Sequence, residues 1–149
     1  MPVSIDIHRT VVTRTALPAA YAYLADFTNT NHWDPGTVRT TLIDGDGGVG
    51  SHYANVSRFA GRTVELTYVV EEREPGRRIV LRGRNGTVVA LDTMTFTPTP
   101  TGGTRVGYHA TFSFSGPIAL VMPLFGPAFR RLGDRAERRM GEELDALNA

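Results

Sequence analysis

The chain has 149 residues, a formal net charge of +1 and no cysteine. That length fits one domain over 1–149, and a domain of this size buries about 70% of its unfolded surface, enough for a real core. The near-neutral charge gives no reason to expect nucleic acid, and the missing cysteines exclude disulfides, thiolate catalysis and cysteine-rich zinc sites. The start, Met1-Pro2-Val3-Ser4-Ile5-Asp6, lacks the basic and apolar runs of a signal peptide. The most apolar stretch, Pro117 to Phe125, is far shorter than the roughly 20 residues that span a bilayer. A cytoplasmic protein without stable membrane insertion is therefore expected.

Val3, Ile5, Ile7 and Val11 alternate with polar residues, the period of a strand with one buried face. Pro18 opens a helix over Ala19 to Ala25, since its missing N–H costs nothing in a first turn. A second short helical turn is expected at Asn29 to Trp33, stopped by Asp34-Pro35-Gly36. Strands then follow one another: Thr37 to Ile43, Val49 to Phe59, Arg62 to Glu72, Arg78 to Arg84, Val88 to Thr97 and Thr104 to Phe114. Turn chemistry separates them, with Asn85-Gly86 a strong hairpin signal. Sequential meanders of this kind make an antiparallel sheet.

The last segment is the clearest helix, about Phe129 to Leu147, with an apolar stripe of Phe129, Leu132, Ala136, Met140, Leu144 and Leu147. Its other face is charged, and Asp134–Arg138 and Arg138–Glu142 form four-residue pairs. Gly133 and Gly141 weaken the helix but let it approach a neighbour or bend. The expected fold is α+β: a curved seven-stranded antiparallel sheet wrapped around a long C-terminal helix, with two short helices after the first strand. A sheet that twists around one helix tends to leave a cavity.

Several short motifs keep a definite order along the chain. They are Ala20-Tyr21-Ala22-Tyr23-Leu24-Ala25-Asp26-Phe27 followed by Trp33-Asp34-Pro35-Gly36, then Gly48-Val49-Gly50, Glu72-Arg73-Glu74-Pro75-Gly76-Arg77-Arg78-Ile79, Phe96-Thr97-Pro98 and Gly102-Gly103-Thr104-Arg105-Val106. In this order the chain resembles the START-like (SRPBCC) superfamily, specifically its bacterial polyketide cyclase/dehydrase and lipid transport branch. The resemblance covers essentially the whole chain and implies a helix-grip fold. It also places Asp26, Asn29 and Trp33 at the mouth of a pocket. Members of the superfamily bind or transform very different ligands, so the resemblance fixes no activity.

Strand parity supplies the candidate site. Tyr53 and Asn55 share one face with Ser57 and Phe59; Tyr68 goes with Val64, Leu66 and Val70; Tyr108 and Phe112 go with Val106, Ala110 and Phe114. A tyrosine offers an apolar ring with one polar tip, suited to an oxygenated hydrophobic ligand. Trp33 closes the expected pocket from the helices, and Phe129, Leu132 and Met140 from the final helix. Asp92 is the weak catalytic candidate. If Met94 and Phe96 face inward, Asp92 does too, and a carboxyl in an apolar cavity would act as acid or base. A β-bulge that turns Asp92 outward fits the sequence equally, because Val89 and Leu91 are apolar on the other parity.

The alternative readings are structural. Asp26 before a short turn is expected to cap it. His8 and His109 fall opposite the apolar parity, His52 lies off the Tyr53 face, and only His32 belongs near a pocket mouth. No histidine has metal-ligand spacing, and no metal or cofactor is expected. The arginines of the last helix alternate with acids and read as a solvated face. Ser113-Phe114-Ser115-Gly116 has no base partner. Binding of a hydrophobic small molecule (lipid, polyketide or isoprenoid-like) is the leading expectation. Cyclisation or dehydration of such a ligand is the second, and an interaction module with a closed pocket the third.

Overall fold

The computed structural model describes residues 3–59 and 61–148. Its elements run β1 (Val3–Thr13), α1 (Leu17–Ala25), a 3-10 turn (Phe27–Asn29), α2 (Thr30–Trp33) and β2 (Thr37–Asp44). Next come β3 (His52–Phe59), β4 (Arg62–Glu74), β5 (Arg78–Arg84), β6 (Val88–Pro98) and β7 (Thr104–Phe114). Two 3-10 turns, Pro117–Leu120 and Met122–Phe125, lead into α3 (Gly126–Ala146).

The strands form one seven-stranded sheet in the order β1-β7-β6-β5-β4-β3-β2. Every pairing is antiparallel. The sheet grips α3, which is the helix-grip α+β architecture the sequence pattern predicts. Period-two patterning does the sorting. Leu66, Tyr68 and Val70 of β4 and Val106, Tyr108 and Ala110 of β7 are buried, while Glu65 and Thr67 on either side of Leu66 are exposed. Alternation is weaker in β5, where Ile79, Val80 and Leu81 are all buried.

β1 fastens α3 along its length. Arg9 donates to Asp134 at 2.9 Å and to the Arg130 carbonyl at 3.1 Å. Thr13 donates to Asp145 at 2.6 Å, and the Thr15 hydroxyl donates to the Leu144 carbonyl. Met140 and Leu144 are fully buried beneath this seam. Gly133 makes the approach possible. A Cβ there would lie 2.7 Å from Ile7 Cγ2 and 2.9 Å from Arg9 Nη2. Gly141 stands only in ordinary contact range, 3.6 Å from Val11 Cγ1.

Three expectations are corrected. β3 begins at His52 rather than Val49, because Gly50 takes a φ of +89° and leaves Val49 exposed. Leu147 caps α3 and is 44% exposed, so the buried stripe ends one turn earlier, at Leu144. Asp134 reaches across to Arg9 instead of pairing along the helix with Arg138, whereas Arg138 and Glu142 do approach, at 3.7 Å.

The seam gives a test. Leu144→Ala is expected to cost about 2–5 kcal/mol in denaturant melts, through lost burial and the void left behind. Arg131→Ala, on the solvent face, is expected to stay within about 0.5 kcal/mol. Gly133→Ala gains about 1 kcal/mol of helix propensity, but overpacking costs about 1–3 kcal/mol. With Ile7 and Arg9 that close, the net effect is expected to be a loss; a stabilised variant would show that helix and strand are not in this contact.

Candidate ligand pocket

Small residues leave room between sheet and helix. On adjacent strands Gly83 pairs with Ala90, Ala90 with Phe112, and Asp92 with Ala110. From the other side α3 presents Gly133 and Ala136. The result is a cavity of about 100 Å3. Its more open side is formed by the half-buried Gly36, Ser57, Phe59, Val64, Phe112 and Leu132, and its inner part by the buried Ile7, Tyr68, Asp92, Tyr108 and Ala136. Phe129 gathers the aromatic side. Its ring centroid lies 4.2 Å from that of Phe59, 5.3 Å from Phe112 and 6.0 Å from Phe114.

Strand register brings the polar groups together. β6 runs without a register shift against both neighbours, so Ala90, Asp92, Met94 and Phe96 all point inward. This settles the orientation of Asp92, which is 5% exposed. Tyr108 stands two residues along β7 from Ala110, the partner of Asp92, on the same face. Tyr68 leans over β5: a Cβ on Gly83 would meet the tip of its ring at 2.7 Å. The two phenols therefore flank Asp92, Tyr108 from the adjacent β7 and Tyr68 from β4 across β5.

Two carboxyls face this cavity, Asp92 and Asp34. Asp92 Oδ1 is buried and finds no hydrogen-bond partner among the described residues. Asp34, at the end of α2, accepts from the Gly36 N–H at 3.1 Å and from the Thr37 hydroxyl at 2.9 Å. Burial pushes the Asp92 carboxyl up to about 8, and the charge of Asp34 adds to the shift. Burial raises Asp34 as well, but its two hydrogen bonds and Arg139 oppose the rise. Burial, then the neighbouring carboxyls, carries Tyr68 and Tyr108 well above the usual phenol range. Near neutrality the phenols and Asp92 are thus protonated hydrogen-bonding groups, while the hydrogen bonds and Arg139 at Asp34 favour its ionised form against the effect of burial.

The family model described as polyketide cyclase/dehydrase and lipid transport matches residues 4–149. The chain belongs to this family. Among curated proteins none matches it. Solved structures share the family architecture at low identity. A Thermus thermophilus protein superposes with a TM-score of 0.80 at 15% identity, covering 97% of this chain and 100% of that one. The Zhui aromatase/cyclase of a Streptomyces species gives 0.79 at 13% identity, covering 96% and 94%. A START superfamily protein of Mycobacterium smegmatis gives 0.70 at 12%, covering 95% and 94%. At such identities these likenesses establish the fold.

Within this cyclase/dehydrase-family chain, Tyr68, Asp92, Tyr108, Phe112, Phe129 and Leu132 of the sequence-derived candidates come together around the cavity. Trp33, Tyr53, Asn55 and Met140 stand outside its lining. Trp33 is 1% exposed and packs edge-on against Tyr108 at 5.5 Å, one layer behind the wall. Tyr53 packs on Phe27 at 5.6 Å and borders a different surface depression with Asp26 and Arg73. Asn55 is 3% exposed and donates to Thr40 at 2.8 Å. Met140 is wholly buried in the seam. His32 is exposed and away from the mouth. Asp26 caps its turn, accepting from the Thr28 N–H at 3.0 Å and the Thr28 hydroxyl at 2.6 Å. Asn29 donates to the Tyr23 carbonyl at 2.7 Å. His8 and His109 stack on the outer face at 3.7 Å. Ser57 lines the cavity and donates to Asn55 at 2.6 Å.

The raised Asp92 pKa has a stability signature. The folded value of about 8 lies above the 3.8 of the unfolded group. Between those values the native state holds a proton that the unfolded chain has released, so stability falls as pH rises through the window. At about 1.4 kcal/mol per pH unit the full loss is on the order of 5 kcal/mol. Denaturant melts from pH 5 to 8 are expected to show this slope in the wild type and to lose it in Asp92→Asn. Parallel slopes in the two proteins would contradict it.

Proposed function

We propose that the protein binds a hydrophobic small molecule carrying a polar group, inside the cavity between sheet and α3. The observation that carries the reading is Asp92 Oδ1, unpartnered among the described residues and buried where Tyr68 and Tyr108 flank it at the inner part of a mostly apolar cavity. An apolar pocket with a few convergent polar groups is the usual form of a small-molecule site. A ligand oxygen or nitrogen would give Asp92 the partner that burial otherwise denies it, and the ring or chain would lie against Phe59, Phe112 and Phe129. An empty interior favours this reading over an interaction module with a closed pocket. The volume of about 100 Å3 is smaller than the engineered cavity of about 150 Å3 that holds benzene, so a one-ring ligand fills it and presses on its open side. Ligands that need about 300 Å3 or more require the open side to widen.

A second reading, acid–base catalysis of the cyclase/dehydrase kind, is favoured by one observation. The two carboxyls have different surroundings, Asp34 hydrogen-bonded and Asp92 unpartnered. Such a difference separates a base from an acid. Asp92 would protonate a departing hydroxyl and Asp34 would take the proton α to a carbonyl, with loss of water. Incubation with a short poly-β-ketone thioester mimic, followed by mass spectrometry, tests it: a product lighter by one water in the wild type and absent with Asp92→Asn is expected. Equal yields from the two proteins would remove Asp92 from the chemistry.

Binding has its own test. Saturable change in the fluorescence of Trp33, relayed through Tyr108, is expected on titration with small uncharged aromatic alcohols. Ala136→Leu, which fills the cavity from the helix, is expected to weaken binding at least tenfold. His109→Ala on the outer face should leave it within twofold. Unaltered binding in Ala136→Leu would place the ligand elsewhere.

A further inference from the structure

The charge of the cavity lining is one-sided. Asp34 and Asp92 both face it, and none of the described residues that line it is lysine, arginine or histidine. Both carboxyls border the same small volume as two aromatic faces, Tyr68 and Tyr108. An anionic ligand would meet one like charge at Asp34 and find no cation to compensate its own desolvation, the costly case for a buried charge. A neutral ligand can give Asp92 a hydrogen-bond partner but brings no positive charge to offset ionisation of either carboxyl. A cation satisfies both, and tyrosine faces add a favourable quadrupole within about 6 Å.

We propose that the cavity selects a ligand bearing a protonated amine, its ammonium seated at the Asp34 and Asp92 carboxyls against Tyr68 and Tyr108, its apolar part against Phe112 and Phe129. This rests on the reading of the cavity as a ligand site. The groups facing Asp92 are Asp34, Tyr68 and Tyr108, and Asp34 also feels Arg139. Burial holds Asp92 protonated near neutrality, with a value of about 8. An arriving ammonium drives that proton off, so binding releases up to one proton. An aliphatic amine stays protonated to about 10, as lysine does. Below pH 8, then, each unit rise in pH is expected to tighten binding by up to tenfold.

The experiment compares three probes of one ring each by calorimetry: benzylamine, benzyl alcohol and benzoate. At pH 7, in two buffers of different ionisation enthalpy, benzylamine is expected to bind with proton release, at least tenfold tighter than benzyl alcohol, and benzoate not at all. Asp92→Asn is expected to erase the preference for the amine and the proton release while still binding the alcohol, which shows that the variant is folded. Alcohol bound as tightly as amine, or benzoate bound at all, overturns the amine selection but leaves the cavity a ligand site. No binding by any probe, with the Asp92→Asn protein equally silent, overturns both. Amine binding without proton release, unchanged in Asp92→Asn, overturns the seating at Asp92.

Discussion

The cavity exists because α3 is held hard against β1 at one place and kept clear of the sheet at another. Arg9, Thr13 and Thr15 fasten the helix through Asp134, Asp145 and the Leu144 carbonyl, and Gly133 removes the Cβ that would block the approach. A close-packed interior tolerates no free rotation of such a helix. Once the seam fixes its azimuth, Phe129, Leu132, Gly133 and Ala136 must face the concave sheet. Gly133 sits where the helix comes closest to Ile7, and Ala136 is too small to fill the space beside it. The same positions that let the helix dock therefore keep space open beside the seam.

The sheet contributes in the same way. Gly83 pairs with Ala90 on β6, with Ala110 diagonal to it on β7, and the missing side chain of Gly83 leaves the place that the tip of the Tyr68 ring occupies. Larger residues there would fill the interior and displace the Tyr68 ring. A buried aspartate with no partner lowers stability between pH 4 and 8, and the fold carries that cost next to two phenols that have no competing role in the sheet hydrogen bonding. Packing alone gives no reason for a carboxyl at that position; an apolar residue of similar volume would serve the core better. The polar group makes physical sense as one half of an interaction whose other half enters from outside.

Much of this architecture could be read from the sequence, because period-two strands, turn residues and one long amphipathic stripe all point to the same fold. Tyr68 and Tyr108 were assignable for the same reason: each sits on a strand with one clean apolar parity. Asp92 was not, since Val89 and Leu91 on the outer face of β6 are themselves half-buried and blur the alternation. Register with β5 and β7, a property of partners far away in sequence, decides it. Asp34 escaped notice because Asp-Pro-Gly is turn chemistry. It does make the turn, holding Gly36 and Thr37, and the turn happens to border the cavity. Trp33 and Met140 stand behind the cavity wall and not on it for an opposite reason: size and apolarity identify core residues but do not say which of them meets a void.

The two ends of α3 are held unequally, and this bears on how a ligand enters. The C-terminal half is clamped by Thr13, Thr15, Met140 and Leu144. The N-terminal end is preceded by two 3-10 turns in which Leu120 and Leu124 are 84% and 78% exposed. Ahead of Arg130, where the first hydrogen bond of the seam falls, that end meets the sheet through aromatic contacts, with Phe125 on Phe59 at 6.1 Å and Phe129 on Phe59 at 4.2 Å. Ring contacts slide at little cost compared with a hydrogen-bonded, glycine-fitted seam, and locally weak regions open first. The rings of Phe59 and Phe129 also line the cavity. Widening the cavity therefore calls for displacing the start of α3 while its end stays fixed, so the clamp that creates the space also determines from which side it can grow.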